Sequence, residues 1–464
     1  MLNKIYFFYF IMKKVYYILF AAMGLASCSS DETFESSANV NEEVTQELDL
    51  SKRSYDEVLE IAQNSISMLQ DSTAITRGEA TGRTLNLENG VKIYRQKVTR
   101  ADGSVSNDPL LYVFNFNDDK GFAVVSANRA TEGLLAVVEN GSYDPNSKWD
   151  DSYAVELLEN AKEYVANAKS EVVKMPAVTR AVPAQYRPHI DTTYHKQFAP
   201  RIKVKWAQKG PAGSLCPNIA RACPNNIAGS GPIAVAQIMT FWGIQKNNFP
   251  DHIYLGHCGG VLYFDWKKIN NWVDSDKKKG MSSDQDYNDM ATLVREIGYL
   301  AKAKYWNDQT ETALSDLRNA TVKLGYGATN VEKFDPKKGG FSLASRLWGD
   351  NFAIMEASNS RKSGRRHIFI LDGLKYVKAL EYFQVSYDGG KTWQKCTTMS
   401  QYNHETQQHY INWGEAGKYD GFYTTGLFTP TVKDNNGRTT DYFENWKGGS
   451  YNTDMQFFIN YWNK

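Results

Sequence analysis

Ser230 stands immediately before a run, residues 233–242, that is apolar almost all round, the mark of a buried helix. Pro232 fits the first turn of that helix and Gly231 its cap, which places the Ser230 hydroxyl at the helix start. An ionising group there feels the field of the aligned peptide dipoles, although the common use of a serine in this place is to cap the helix. His367 opens a second apolar run, 367–371, with strand character, where a histidine is commonly a satisfied structural residue. Asn412, Trp413 and Gly414 follow a third such run and, taken alone, close a turn. Cys216, Cys223, Cys258 and Cys396 show neither CxxC pairing nor His/Cys clustering, so no metal and no cofactor is expected. In an oxidising compartment these four thiols allow two bridges in three connectivities, and the sequence leaves the choice open.

The elements that must position these residues fall into two groups. Ser51 and Ser54 offer helix caps, and Leu59, Ala62, Ile66 and Leu69 recur at helical steps of three and four. Strands are predicted over 91–98, 110–116, 122–126 and 134–138, with Asn117-Asp118-Asp119-Lys120-Gly121 as a hairpin turn, and a helix over 149–168. This first unit is small and α+β. A proline-punctuated linker lies between Lys169 and Tyr186, and Arg180 within it is exposed to a trypsin-like processor. The second unit carries helices at 233–242, 288–300 and 310–324, then strands at 352–355, 368–371, 381–387, 409–413 and 455–460. Helices first and strands after make a helical half facing an antiparallel β half, an α+β domain.

Met12-Lys13-Lys14 supplies a basic region, 15–25 an apolar one, and Leu25-Ala26-Ser27-Cys28 a small-residue processing site, the order of an export signal. The apolar run is shorter than the roughly 20 residues that span a bilayer. Leu-Ala-Ser-Cys is similar to a bacterial lipobox, so cleavage before Cys28 and acylation of its thiol are expected. The chain is then exported and lipid-anchored at the outer membrane or cell surface, touching membrane only through that lipid, until processing releases it. Residues 29–50 are polar and acidic, as suits a disordered tether. With 53 basic against 52 acidic residues, no global field exists to attract nucleic acid, and none is expected as partner.

Five segments in order resemble the streptopain-like, papain-type cysteine peptidases. Gly229-Ser230-Gly231-Pro232-Ile233-Ala234-Val235-Ala236-Gln237 is similar to the family's nucleophile helix, in which cysteine stands at the Ser230 position. His367-Ile368-Phe369-Ile370-Leu371-Asp372-Gly373 resembles its catalytic histidine strand, and Tyr410-Ile411-Asn412-Trp413-Gly414 its Asn-Trp-Gly motif. Lys205-Trp206-Ala207-Gln208 with Leu215-Cys216-Pro217 is similar to the opening of the mature enzymes, and 111–144 to their inhibitory pro-domain. With the lipoprotein signal peptide at 1–28 and the tether at 29–50 read above, the resemblance implies a pro-domain at 51–180 cleaved at Arg180, and a peptidase domain at 181–464. It implies Ser230 in the nucleophile position, His367 as general base across a cleft from it, Asn412 orienting the imidazole, Trp413 shielding that bond, and Glu356 at an oxyanion-donor position. The pro-domain and a peptide or protein substrate are the implied partners.

The sequence departs from that pattern where the chemistry is most demanding. A thiol at a helix start beside an imidazolium is ionised, its pKa falling from about 8.5 to about 3–4 in papain-type sites. A serine hydroxyl must instead lose its proton to the base during attack, and serine hydrolases steady that base with a carboxylate, whereas Asn412 is neutral. An ionised Glu356 accepts hydrogen bonds only and repels an oxyanion. Arg365 and Arg366 replace the small glycines expected before the histidine. Two functions therefore stand side by side: a secreted cysteine-type endopeptidase zymogen, and a catalytically inactive homologue binding peptides or proteins at the surface. Residues 386–393 resemble an Asp-box, but a single copy builds no propeller and reads as a hairpin turn inside an insertion at 375–408.

Overall fold

Ser54 caps the first helix, α1 (Tyr55–Ser65): its hydroxyl accepts the Glu57 N–H while the Glu57 carboxylate accepts the Ser54 N–H. The structure, a computed structural model, describes residues 51–69, 82–99, 105–146, 153–168, 184–208, 227–246, 249–256, 259–270, 285–307, 309–334, 343, 345–347, 349–359, 365–397, 399, 401–428, 431–433, 439–441 and 453–461. Strands β1 (Val91–Thr99), β2 (Val105–Asn115), β3 (Phe122–Ser126) and β4 (Leu134–Val138) pair antiparallel in chain order. Helix α2 (Tyr153–Asn167) lays Leu157, Leu158, Ala161 and Val165 on one face of them. The predicted hairpin after β2 turns through Asp118 and Asp119 at φ 58° and 52°, a left-handed conformation that short polar residues tolerate.

The remainder comprises β5 (Gln185–Phe198), α3 (Ser230–Gln245), α4 (Gln285–Leu300), α5 (Leu314–Lys323), β6 (Phe352–Asn359), β7 (Arg365–Ser386), β8 (Tyr402–Asn412), β9 (Gly421–Thr424) and β10 (Thr453–Tyr461), with shorter pieces between. Ile233, Val235, Ile238 and Trp242 of α3 pack with Leu293, Ile297 and Leu317 of α4 and α5 against Ile354, Ile368, Ile370 and Phe458 of the sheet. Three helices against the antiparallel strands of this part are the α+β arrangement expected. One sheet runs in the order β1-β2-β3-β4-β9-β8-β7-β6-β10, so the N-terminal strands join the later ones directly. The junction pairs Val138 with Gly421, Val137 with Phe422 and Ala136 with Tyr423. A Cβ at Gly421 would lie 2.3 Å from the Val137 carbonyl oxygen, so only glycine allows this approach.

Two predicted strands, 368–371 and 381–387, are one: β7 runs unbroken for 22 residues, with a register shift against β8 at Gly373. The insertion expected over 375–408 is thus largely the outer part of the β7–β8 hairpin. Along that part β7 also pairs with β5 from Leu374–Phe198 to Ser386–Gln185. The sequence of β5 is polar and contains Pro188, so its strand state comes from the partner rather than from propensity. Helix α5 starts at Leu314, later than predicted, because Thr310–Glu311 pairs with Lys304–Tyr305. The Asp-box residues close a turn on themselves: Asp388 accepts from Ser386 Oγ at 2.8 Å, the Lys391 and Thr392 amides at 2.9 Å and Thr392 Oγ1 at 2.6 Å.

A buried charge cluster ties the N-terminal unit to this hairpin. Arg53 and Arg129 both donate to Glu381 of β7; Arg129 also grips Glu57 at 2.5 and 2.6 Å, and His404 Nε2 lies 2.8 Å from the Glu381 carboxylate. Burial opposes ionisation of Glu381, yet His404, Arg53 and Arg129 together hold its carboxyl down at about 2.

Candidate active site

Ser230 is the first residue of α3, two positions further in than the sequence reading placed it, and Gly229 is the cap at φ 87°. A Cβ at Gly229 would meet Thr310 Cγ2 at 2.9 Å, so both the backbone angle and the space demand glycine. The Ser230 side chain is buried and its Oγ accepts the Ile368 backbone N–H at 3.1 Å. The helix therefore delivers the hydroxyl to the strand that carries His367, at the residue beside it.

The imidazole leaves that strand on the other side. Successive side chains of a strand alternate faces. Ile368 and Ile370 join the cluster around α3, whereas Phe369 and Leu371 join the one containing α2. His367 follows Phe369: their rings stack at 6.5 Å and 19°, and the Trp413 indole stacks on His367 at 6.0 Å and 28°. His367 Nε2 lies 2.8 Å from the Trp413 carbonyl oxygen, an acceptor, so this nitrogen carries the proton. Burial pulls the His367 pKa down to about 4, and the ring is neutral at physiological pH. Ser230 Oγ thus meets the backbone of the residue beside His367, while Nε2 of the imidazole is turned to the Trp413 carbonyl.

Asn412 was expected behind the imidazole and instead faces α3. Its Oδ1 accepts the Gly414 amide at 3.0 Å and Gln237 Nε2 at 3.2 Å, while Gln237 Oε1 takes the Trp206 amide at 3.1 Å. The oxygen near His367 belongs to the Trp413 backbone because Asn412 and Trp413 point to opposite faces. Trp413 lies against the imidazole as expected and is held by its own partners: its amide donates to Asp420 Oδ1 at 2.9 Å and its indole N–H to the Tyr419 carbonyl at 3.1 Å. Asp420 Oδ2 accepts from Lys205 Nζ at 2.9 Å. Burial works against the Lys205 ammonium, but Asp420 and Glu139 outweigh it and hold its pKa above the ordinary value. Gln237 and Asp420 are residues the sequence reading missed. Gln237 carried a signal, since only it and Thr240 are polar within 233–242.

A cavity of about 280 Å³ opens at Ser230, lined by Thr312, Glu356, Arg366 and Ile368 among others; neither His367 nor Asn412 borders it. Glu356 sits opposite Ile368 across the β6–β7 ladder and is 3% exposed. Its Oε2 accepts from Arg366 at 3.2 Å. Burial raises the Glu356 pKa and Arg366 opposes the rise. Cys28, Arg180, Cys216, Cys223 and Cys258 lie outside the described residues. Cys396 is buried beside Phe383, Val385 and Met399. Among the described residues no group of three or more His, Cys, Asp or Glu side chains gathers for a metal ion, and no helix is long and apolar enough to cross a membrane.

A buried helix delivering a small polar side chain to a histidine strand, beside an Asn-Trp-Gly turn, defines a two-part peptidase scaffold. Residues 206–423 match the Peptidase C10 family and residues 44–165 the Spi protease inhibitor family. The 206–423 region belongs to the Peptidase C10 family and is streptopain-like, with an inhibitor-type pro-region before it. Streptopain of Streptococcus pyogenes serotype M1 is 20% identical over 401 residues, covering 80% of this chain and 85% of its own; that of the serotype M28 strain is 20% identical over 399 residues with the same coverage. Among solved structures, a Prevotella intermedia prointerpain A fragment is similar at a TM-score of 0.43 and 17% identity, covering 79% of this chain and 98% of its own.

Proposed function

We propose that the chain is an exported streptopain-type precursor, anchored through a lipid on Cys28, whose Ser230 site holds peptide segments and, in the full-length chain, does not hydrolyse them. One observation carries this reading: the cavity at Ser230 is bordered by Glu356 and Arg366, while the His367 imidazole is packed away against Trp413. Ser230 Oγ accepts the Ile368 amide, and a serine hydroxyl whose proton no base takes is a weak nucleophile. Casein and fluorogenic-peptide hydrolysis by the full chain, with His367→Ala as control, tests it. Turnover that disappears in the control refutes it. Fatty-acid labelling lost in Cys28→Ala tests the anchor.

A second reading has its own support. Phe369 and Trp413, whose rings stack on His367, belong to the same apolar cluster as Leu157, Leu158 and Ala161 of α2 in the N-terminal unit. In this reading the chain is a zymogen: cleavage near Arg180 and loss of 51–180 uncover that face and free the imidazole to approach Ser230. Hydrolysis that appears only after such processing, and is absent from His367→Ala, favours it over the first.

A further inference from the structure

The Ser230 cavity contains two polar atoms that are buried and have no hydrogen-bond partner: Glu356 Oε1 and Thr312 Oγ1. Buried polar groups are nearly always paired, and an unpaired carboxylate oxygen is among the costliest exceptions. The charges around it are otherwise accounted for. Lys302 is bonded to Asp316 at 2.9 Å, and Glu311 takes the Trp306 indole N–H at 3.3 Å and the Gln309 amide at 2.9 Å. Arg366, 58% exposed, satisfies only the other oxygen of Glu356, and Lys304 is exposed at the rim. Three acidic and three basic side chains line the cavity, so selectivity here cannot come from a net field; it comes from the one carboxylate oxygen without a donor.

We propose that this cavity recognises a cationic nitrogen group of a peptide, an arginine or lysine side chain or a free amino terminus, on Glu356. The inference rests on the peptide-binding reading of the Ser230 site and names what that site selects. A guanidinium bonds a carboxylate through two parallel N–H donors, and it would use Oε1 directly while displacing or sharing the single Arg366 bond to Oε2. Ser230 Oγ and Thr312 Oγ1, on the same walls, are placed to meet the neighbouring backbone. A cation on Glu356 also favours its ionised form against the burial that raises its pKa, so binding strengthens as pH rises through that titration.

The test measures binding of labelled peptides to the full-length chain by fluorescence anisotropy. The probes are an acetylated, amidated alanine-rich hexapeptide with one central arginine, its citrulline and lysine counterparts, and an all-alanine hexapeptide with a free or an acetylated amino terminus. Arginine should bind at least about tenfold more tightly than citrulline, which keeps the shape and removes the charge. The lysine and free-terminus probes decide which source of cation the cavity takes. Glu356→Gln should bring arginine and citrulline within about twofold of each other, and Arg366→Ala, by removing the competing cation, should tighten arginine binding by about three- to tenfold. A gain of that kind cannot come from a misfolded variant. If arginine and citrulline bind wild type equally while Ser230→Trp, which fills the cavity, abolishes both, the peptide site stands and the cation inference is overturned. Arginine binding unchanged or weakened in Arg366→Ala also overturns it. If no probe binds, or Ser230→Trp changes nothing, the peptide-binding reading falls with it.

Discussion

Replacing His409 by leucine exchanges a buried imidazole for an apolar side chain of similar volume. His409 lies in β8 between Leu374 of β7 and Tyr423 of β9, is fully buried, and leaves both ring nitrogens without a hydrogen-bond partner. Burial pulls its pKa from 6.5 to about 4. Between those two values the unfolded chain binds a proton that the folded chain refuses, so stability present at neutral pH is lost as pH falls. With about 1.36 kcal/mol per pKa unit, His409 removes about 2 kcal/mol of stability at about pH 5 and about 3 kcal/mol at about pH 4. His367, buried and lowered to about 4 as well, contributes a similar share. His409→Leu should therefore halve the histidine part of the acid limb and leave the part due to His367. At neutral pH it should also stabilise the fold by about 1–3 kcal/mol, the cost of keeping an unpaired polar group in the core. Guanidinium unfolding of both proteins at about pH 7 and about pH 5 measures both effects. A variant that loses as much stability on acidification as wild type would show that His409 does not titrate as a desolvated imidazole, and the argument fails.

Gln237→Leu removes the shared partner of Asn412 and the Trp206 amide and should destabilise the fold by about 2–4 kcal/mol, read as a shift of the unfolding midpoint with unchanged slope. Gly229→Ala forces a side chain into a left-handed backbone and against Thr310, and should cost about 1–3 kcal/mol; a neutral result would mean the cap at α3 is not rigid. Ser230→Cys in the full chain should alkylate slowly well below neutral pH, since it has the helix start but His367 does not border its cavity; rapid alkylation there would place His367 beside it. After cleavage near Arg180 and removal of 51–180, the same variant should hydrolyse peptides if the zymogen reading holds, and adding Glu356→Gln should raise the rate by about 10²–10³ if that position serves the oxyanion.

The elements were more legible than the directions of their side chains. Helix α3 is evident from its almost wholly apolar surface, the start of α1 from the cap that Ser54 offers, and β3 and β4 from their short apolar runs between turns. The face taken by His367 was not legible, for a definite reason. A strand with one buried face alternates apolar and polar residues and so declares which residues point inward. In 368–371 every residue is apolar, because β7 is buried on both sides there, Ile368 and Ile370 joining one apolar cluster and Phe369 and Leu371 another. The pattern is then silent about whether residue 367 points with 368's neighbours or against them. Strand β5 was invisible because its pairing with β7 is a long-range property of the register. The importance of Gln237 was readable, as a long polar side chain in an apolar helix must have a buried partner.

The pairing of β4 with β9, together with the Arg53 and Arg129 contacts to Glu381, bears on what a single cut in the linker achieves. Severing a peptide bond between the two units leaves the strand ladder, the shared apolar clusters and the buried ion cluster intact, because none of them runs through the linker. The product of cleavage is a nicked, two-chain complex, and the severed N-terminal piece remains a tight ligand of the piece it came from. Release is then governed by the dissociation rate and by whatever competes for or degrades the N-terminal piece. On the zymogen reading, a second cut within 51–168, rather than the first in the linker, would be the committing step.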